Sequence, residues 1–208
     1  MPGTAPPVAT EHEGLRAFLR QQHDGIRNAA FGLTDDQAHA TPSASAICLA
    51  GVVKHVTNCE RTWMARAAAA PGEPAPDARP VEERMADYGS DWDASGDTIE
   101  DLLARFDEVA RATEDAIAGL DLDLAVPVPR DAPWFPKDLR AWSVRWVILH
   151  IFEEVARHAG HADIVRESVD GATMYELLAA AEGWPETAWL KPWTPRESAG
   201  VHRVPPCP

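Results

Sequence analysis

His150, Glu154, His158 and His161 stand at offsets 0, 4, 8 and 11 in the run WSVRWVILHIFEEVARHAGHADIVRESVDG, residues 142–171. On a helix, residues three or four apart share a face, so these four make one stripe. Imidazole nitrogens and carboxylate oxygens are donors that a divalent cation accepts. Val147, Ile151, Val155 and Ile164 lie on or beside the stripe and turn it inward. Polar groups aimed into an apolar core cost several kcal/mol unless something satisfies them, and a metal ion would do so. A lone histidine there reads as a core residue bonded to a neighbour. Three histidines in phase with a glutamate bring a metal site level with that reading.

One helix supplies ligands in pairs a turn apart. His150/Glu154, Glu154/His158 and Glu154/His161 all qualify by spacing, and a further ligand must come from another helix. His55 is the best candidate, on an inward face shared with Cys48, Val52, Cys59, Thr62 and Trp63. A catalytic divalent site uses about three protein ligands and keeps a position open. Either Cys48 or Cys59 offers a thiolate, but a small buried hydrophobe is the better reading of both. His12, His23, His39 and His202 show no partner in the sequence and are read as solvated. Arg145 and Arg157 flank the stripe; they either pair with residues such as Glu153 or reach a substrate carboxylate.

The elements that position these residues read as helices. Residues 10–31 carry Leu15, Phe18, Leu19, Gln22 and Ile26 near the 3.6-residue period, with Gly32 at the stop. Thr34 and Gln37 form a capping-box pattern. The second helix spans 45–69 with Ser45 as its cap, and the third spans 98–119 behind Thr98 and Asp101. The fourth spans 140–169 and stops at Asp170-Gly171. A short fifth helix is predicted over 172–182. Two long crossovers, 71–97 and 120–139, join the later helices; loops of that length are unusual unless they do something. Short helical pieces fit around Glu82–Tyr88. No strand pattern and no internal repeat is visible. The expected organisation is a loose tail over 1–9, an all-α four-helix bundle over 10–182 and a Trp/Pro-rich tail over 183–208. That tail either wraps the bundle through Trp184, Trp189 and Trp193 or is partly free. Bundles of this kind build metal sites from side chains on facing helices.

Composition excludes several functions. The 208 residues suit one domain with a good core. A net charge of −14 argues against nucleic acid and against anionic membranes. No run approaches the ~20 apolar residues of a membrane span. The N-terminus lacks the basic and apolar regions of a signal peptide. Three widely spaced cysteines show no disulfide framework and fit a reducing compartment. The expected location is cytoplasmic.

The segments GLTDDQAHATPSAS, LAGVVKHVTNCERTWM and LRAWSVRWVILHIFEEVARHAGHADIVRESVDGAT resemble the DinB superfamily, and within it the actinobacterial mycothiol S-transferase branch. The resemblance covers about residues 14–175. It implies a bundle in up-down-down-up order with a divalent metal near one end of the core. The implied ligands are His55, Glu154 and His158, in the E-x-x-x-H form of the maleylpyruvate isomerase relatives. His161 in place of Glu154 stays open. His150 and His161 would be proton shuttles, substrate contacts or supports behind the ligands, and Arg145 or Arg157 would contact the thiol or its acceptor. Zinc is the first expectation, with nickel, iron or manganese as alternatives.

The resemblance further implies mycothiol as thiol cosubstrate and an electrophilic small molecule as acceptor. A free thiol is mostly protonated at neutral pH, and a Lewis-acid cation lowers its pKa. The first function implied is a metal-dependent thiol S-transferase in detoxification or sulfur-metabolite synthesis. A thiol-dependent isomerase of the maleylpyruvate type and a non-enzymatic metal-binding bundle are the alternatives. A homodimer is the default assembly.

Overall fold

The computed structural model describes residues 3–75, 77–130 and 134–195. Four long helices build the body: α1 (Glu11–Ala30), α3 (Leu49–Ala69), α5 (Ile99–Ile117) and α6 (Val144–Asp170). Three short ones accompany them: α2 (Asp35–Ala38), α4 (Val81–Gly89) and α7 (Met174–Glu182). Side-chain oxygens mark most starts. Thr10 with Glu13 and Thr34 with Gln37 complete capping boxes, and Thr98 and Ser143 cap α5 and α6.

Printed contacts fix the helix directions. Arg145 reaches Glu11 at 2.7 Å and Arg166 reaches the Ala29 carbonyl at 2.8 Å, so α1 and α6 are parallel. Arg20 meets Glu114 at 2.7 Å and Arg27 meets Asp107 at 2.6 Å, so α1 and α5 are antiparallel. His55 lies against His158 and Trp63 against Trp146, so α3 and α6 are antiparallel. The order is up for α1, down for α3, down for α5 and up for α6. The expected up-down-down-up bundle stands.

Five local expectations are corrected. Two three-residue strands, β1 (Ala125–Pro127) and β2 (Ala141–Ser143), pair antiparallel with Val126 opposite Trp142. Such short strands give no readable alternation, and the last helix therefore begins at Val144 rather than 140. Cys48, not Ser45, caps α3 through Sγ, which accepts the Gly51 N–H at 3.3 Å. Cys48 is also disulfide-bonded, against the expectation of unpaired cysteines. Ile164 is exposed, because the inward stripe of α6 passes through Ala162, Val165 and Arg166 instead. Cys207 and His202 lie outside the described residues.

The fifth correction concerns the histidines read as solvated. His23 is fully buried. Its Nε2 lies 2.9 Å from Glu60 Oε2, and its Nδ1 lies 3.3 Å from Glu114 Oε1. The inward stripe of α1 is Leu19, His23, Ile26 and Ala30, whereas Phe18 is half exposed. Hydrogen bonding lets a polar ring take an apolar position. His12 and His39 bond the Leu120 and Ala94 carbonyls.

The end of α1 is tied to the C-terminal segment. The buried Arg166 guanidinium donates to Asp170 and to the carbonyls of Ala29 and Phe31, which α1 leaves open. The Trp193 ring covers it at 4.8 Å, and the indole N–H donates to Asp170 at 3.1 Å. Gly32 sits at φ +71°, where a Cβ would meet that ring at 2.6 Å, so this turn requires glycine. Trp193 thus wraps as expected, but Trp189 is exposed. No helix among the described residues is long and apolar enough to cross a membrane.

Candidate metal centre

The stripe on α6 faces α3. His55, Glu154 and His158 each offer a ligand atom, and these atoms lie within 4.8 Å of one another. His158 Nε2 stands 3.6 Å from Glu154 Oε2. Two imidazoles and a carboxylate at this separation need only small rotations to converge at the ~2.0–2.2 Å bond lengths of a divalent cation.

The far side of each ring is held. His55 Nδ1 lies 2.6 Å from Asp91 Oδ2, which leaves Nε2 for the cluster. Asn58 fixes the other Asp91 oxygen at 2.8 Å. Trp92 stacks on His55 at 4.1 Å between ring centres. A carboxylate behind a histidine fixes the tautomer and raises the basicity of the free nitrogen. His158 Nδ1 lies 3.2 Å from His161 Nδ1. Burial, then the neighbouring His55, His161 and Arg157, push His158 down to about 4. The ring is therefore neutral at neutral pH, the form that ligates. This donor set and its supports fit a divalent cation.

His161 therefore stands behind His158, while Glu154 completes the cluster. His150 is next along the stripe, 3.9 Å from Glu154 and 3.6 Å from Glu153. Its ring stacks on Trp146 at 5.1 Å and meets the edge or face of Trp63 at 4.7 Å. Cys59 is a half-buried thiol one turn from His55. Burial, then the carboxylates of Glu154, Asp91 and Glu60, push it up to about 12, consistent with a small packed side chain.

The two arginines do not join the cluster. Arg145 pairs with Glu11 and Asp123 across the bundle end. Arg157 is mostly exposed and pairs with Glu153 at 3.3 Å. An i, i+4 carboxylate was the nearer partner for Arg157, and the sequence could not show that Glu11 and Asp123 meet Arg145.

Asp91, Asn58 and Trp92 are the residues that sequence reasoning missed. Asp91 and Trp92 lie in a crossover with no period to read. Asp91→Ala is expected to weaken divalent-cation affinity about 10- to 100-fold while helical content stays unchanged. A chelator-competition titration measures this.

The family model for mycothiol-S-transferase matches residues 14–171, which contain the whole cluster and all four long helices save the first three residues of α1. The chain belongs to the mycothiol-S-transferase family. No curated protein matches the chain. Among solved structures, a crystal structure of a conserved protein from Enterococcus faecalis is similar, at 10% identity and a TM-score of 0.53. The match covers 79% of this chain and 100% of that one, and at this identity it speaks for the fold alone. The mycothiol-S-transferase fold thus agrees with the DinB-like bundle read from the sequence.

Proposed function

We propose that the chain is a metal-dependent S-transferase that joins a low-molecular-weight thiol, mycothiol, to an electrophilic small molecule. The observation that carries this is the cross-helix cluster of His55, Glu154 and His158, supported from behind by Asp91 and His161. A divalent cation, zinc first among the candidates, would supply Lewis acidity and lower the pKa of a thiol.

The chain's own residues do the rest. Asp91 and His161 keep the two ligand rings in register. Val155 and Ile151, which follow Glu154 and His150 in the chain of α6, are both buried. His150 stands beside Glu154 with a ring held by aromatic contacts. It accepts the thiol proton at a ring nitrogen and passes it to the departing group. The new C–S bond forms as the bond to that group breaks, and the proton count closes. The pairing of Arg145 and Arg157 with other residues weighs against a dicarboxylate acceptor, and so against the isomerase reading.

The test is direct. Mycothiol and a panel of electrophiles are incubated with cation-loaded protein, and products are read by mass spectrometry. Thioether should form well above the uncatalysed rate, and chelation should abolish the excess. Equal rates with and without protein, across the panel, would overturn the proposal.

A further inference from the structure

Two side-chain ladders face each other across the α3–α6 contact. On α6, Trp146, His150, Glu154 and His158 follow at steps of four, with Trp142 of β2 just before them; on α3, His55, Cys59 and Trp63 do the same. The antiparallel packing sets metal ligands at one end and aromatic rings at the other. Trp142 and Trp146 stack at 4.6 Å with 5° between planes, and His150 continues the stack. Trp63 meets Trp142 and Trp146 at 5.4 and 5.8 Å. Phe135, from the second crossover, closes on Trp63 and Trp142 at 5.9 and 5.1 Å.

Trp63 and Trp142 are buried and His150 and Phe135 half-buried, but Trp146 is 39% exposed and Trp134, beside Phe135, is 54% exposed. Exposed aromatic surface against an active centre is costly unless something covers it. The surface is also preorganised, since the rings lock one another in place. One helical turn spans about 5.4 Å, so Trp146 lies roughly 12 Å along α6 from Glu154. A flat ring seated on Trp146 therefore reaches the cluster through a substituent directed past His150. Glu153 is compensated by Arg157, and Arg145 is held by Glu11 and Asp123, which leaves the Glu154 carboxylate as the nearby charge without an arginine partner. An anion on Trp146 would find both neighbouring arginines already engaged.

We infer that Trp146, with Trp63 and Phe135 behind it, forms the acceptor subsite, and that the electrophile it takes is neutral, flat and aromatic or conjugated. This rests on the S-transferase reading for the word acceptor. The binding surface itself does not depend on the chemistry.

The test uses 1,3-dinitrobenzene, a neutral flat ring with no leaving group, titrated calorimetrically into the full cation-loaded chain. Maleate serves as the anionic, non-aromatic competitor. The ring should bind, and maleate should not displace it. Trp146→Leu should weaken binding about threefold to tenfold, and Trp146→Phe should recover most of the loss, as expected for a lost ring–ring contact. Both variants sit at a partly exposed position, and circular dichroism confirms that they fold. Unchanged ring binding in Trp146→Leu, absence of ring binding, or displacement by maleate overturns the subsite. If the ring binds through Trp146 but no thioether ever forms, the subsite stands and the transferase reading falls. If thioether forms from non-aromatic acceptors equally well in Trp146→Leu, the subsite falls and the transferase reading stands.

Discussion

On the proposed function, His158→Ala is expected to lower cation-dependent thiol transfer about 1,000-fold, because several kcal/mol of Lewis-acid stabilisation would go with the ligand. His158 reaches the cluster through Nε2 and meets His161 through Nδ1, so alanine removes a ligand and strands its support. His161→Ala keeps all three ligands and loses only the support. Its expected loss in cation affinity is smaller, about 10- to 100-fold. Rates of thioether formation, measured at saturating cation, separate the two. Rescue of His161→Ala but not His158→Ala by excess cation is the expected pattern. Equal loss in both variants would contradict the assignment of Glu154 rather than His161 as the third ligand.

The second large effect is on stability and lies away from the centre. His23→Ala costs about 3–5 kcal/mol, since it leaves two buried carboxylates without their shared partner. Glu60 Oε1 already has no hydrogen-bond partner among the described residues, so His23 is what holds that side chain. Glu114 retains Arg20 at 2.7 Å, which sets the cost below that of two fully stranded charges. Burial works to lower the His23 pKa, but hydrogen bonds to Glu114 and Glu60 outweigh it and hold it above the ordinary value. Glu114 is held below its ordinary value, its bonds to His23 and Arg20 outweighing burial.

The pH signs follow. The His23 contribution is complete below the unfolded value near 6.5 and fades as pH rises through its raised folded value. The Glu114 contribution is present above about 4.3 and fades as pH falls through its lowered value. Urea unfolding of wild type and His23→Ala should therefore differ most between about pH 4.3 and 6.5. The gap should narrow on the alkaline side. A gap that widens with alkalinity would mean that His23 is buried neutral.

The stripe on α6 was legible because its grammar is helical, while the choice of Glu154 with His158 as the candidate ligand pair came from the family resemblance. His150, Glu154, His158 and His161 repeat on one face, and a continuous helix over 144–170 keeps them there. His55 followed from an inward face on α3. The caps at Thr34 and Thr98 were readable for the same reason, since they depend on residues three apart. What could not be read depends on contacts distant in sequence. Asp91 is 36 residues from His55, in a crossover without periodicity. Glu60 and Glu114 meet His23 over separations of 37 and 91 residues. The Arg145 partners sit 134 and 22 residues away. Ile164 was misplaced because a straight reading of the stripe overran the point where α6 turns Arg166 inward. Trp63 was placed on the correct face, but its aromatic neighbours come from three separate segments.

The account rests most on a cation held jointly by α3 and α6. Elemental analysis of purified wild type, His55→Ala and His158→Ala measures this directly. The prediction is about one divalent ion per chain in wild type and a near-complete loss in both variants, with helical content retained. Metal content unchanged by either substitution would contradict a centre shared between the two helices.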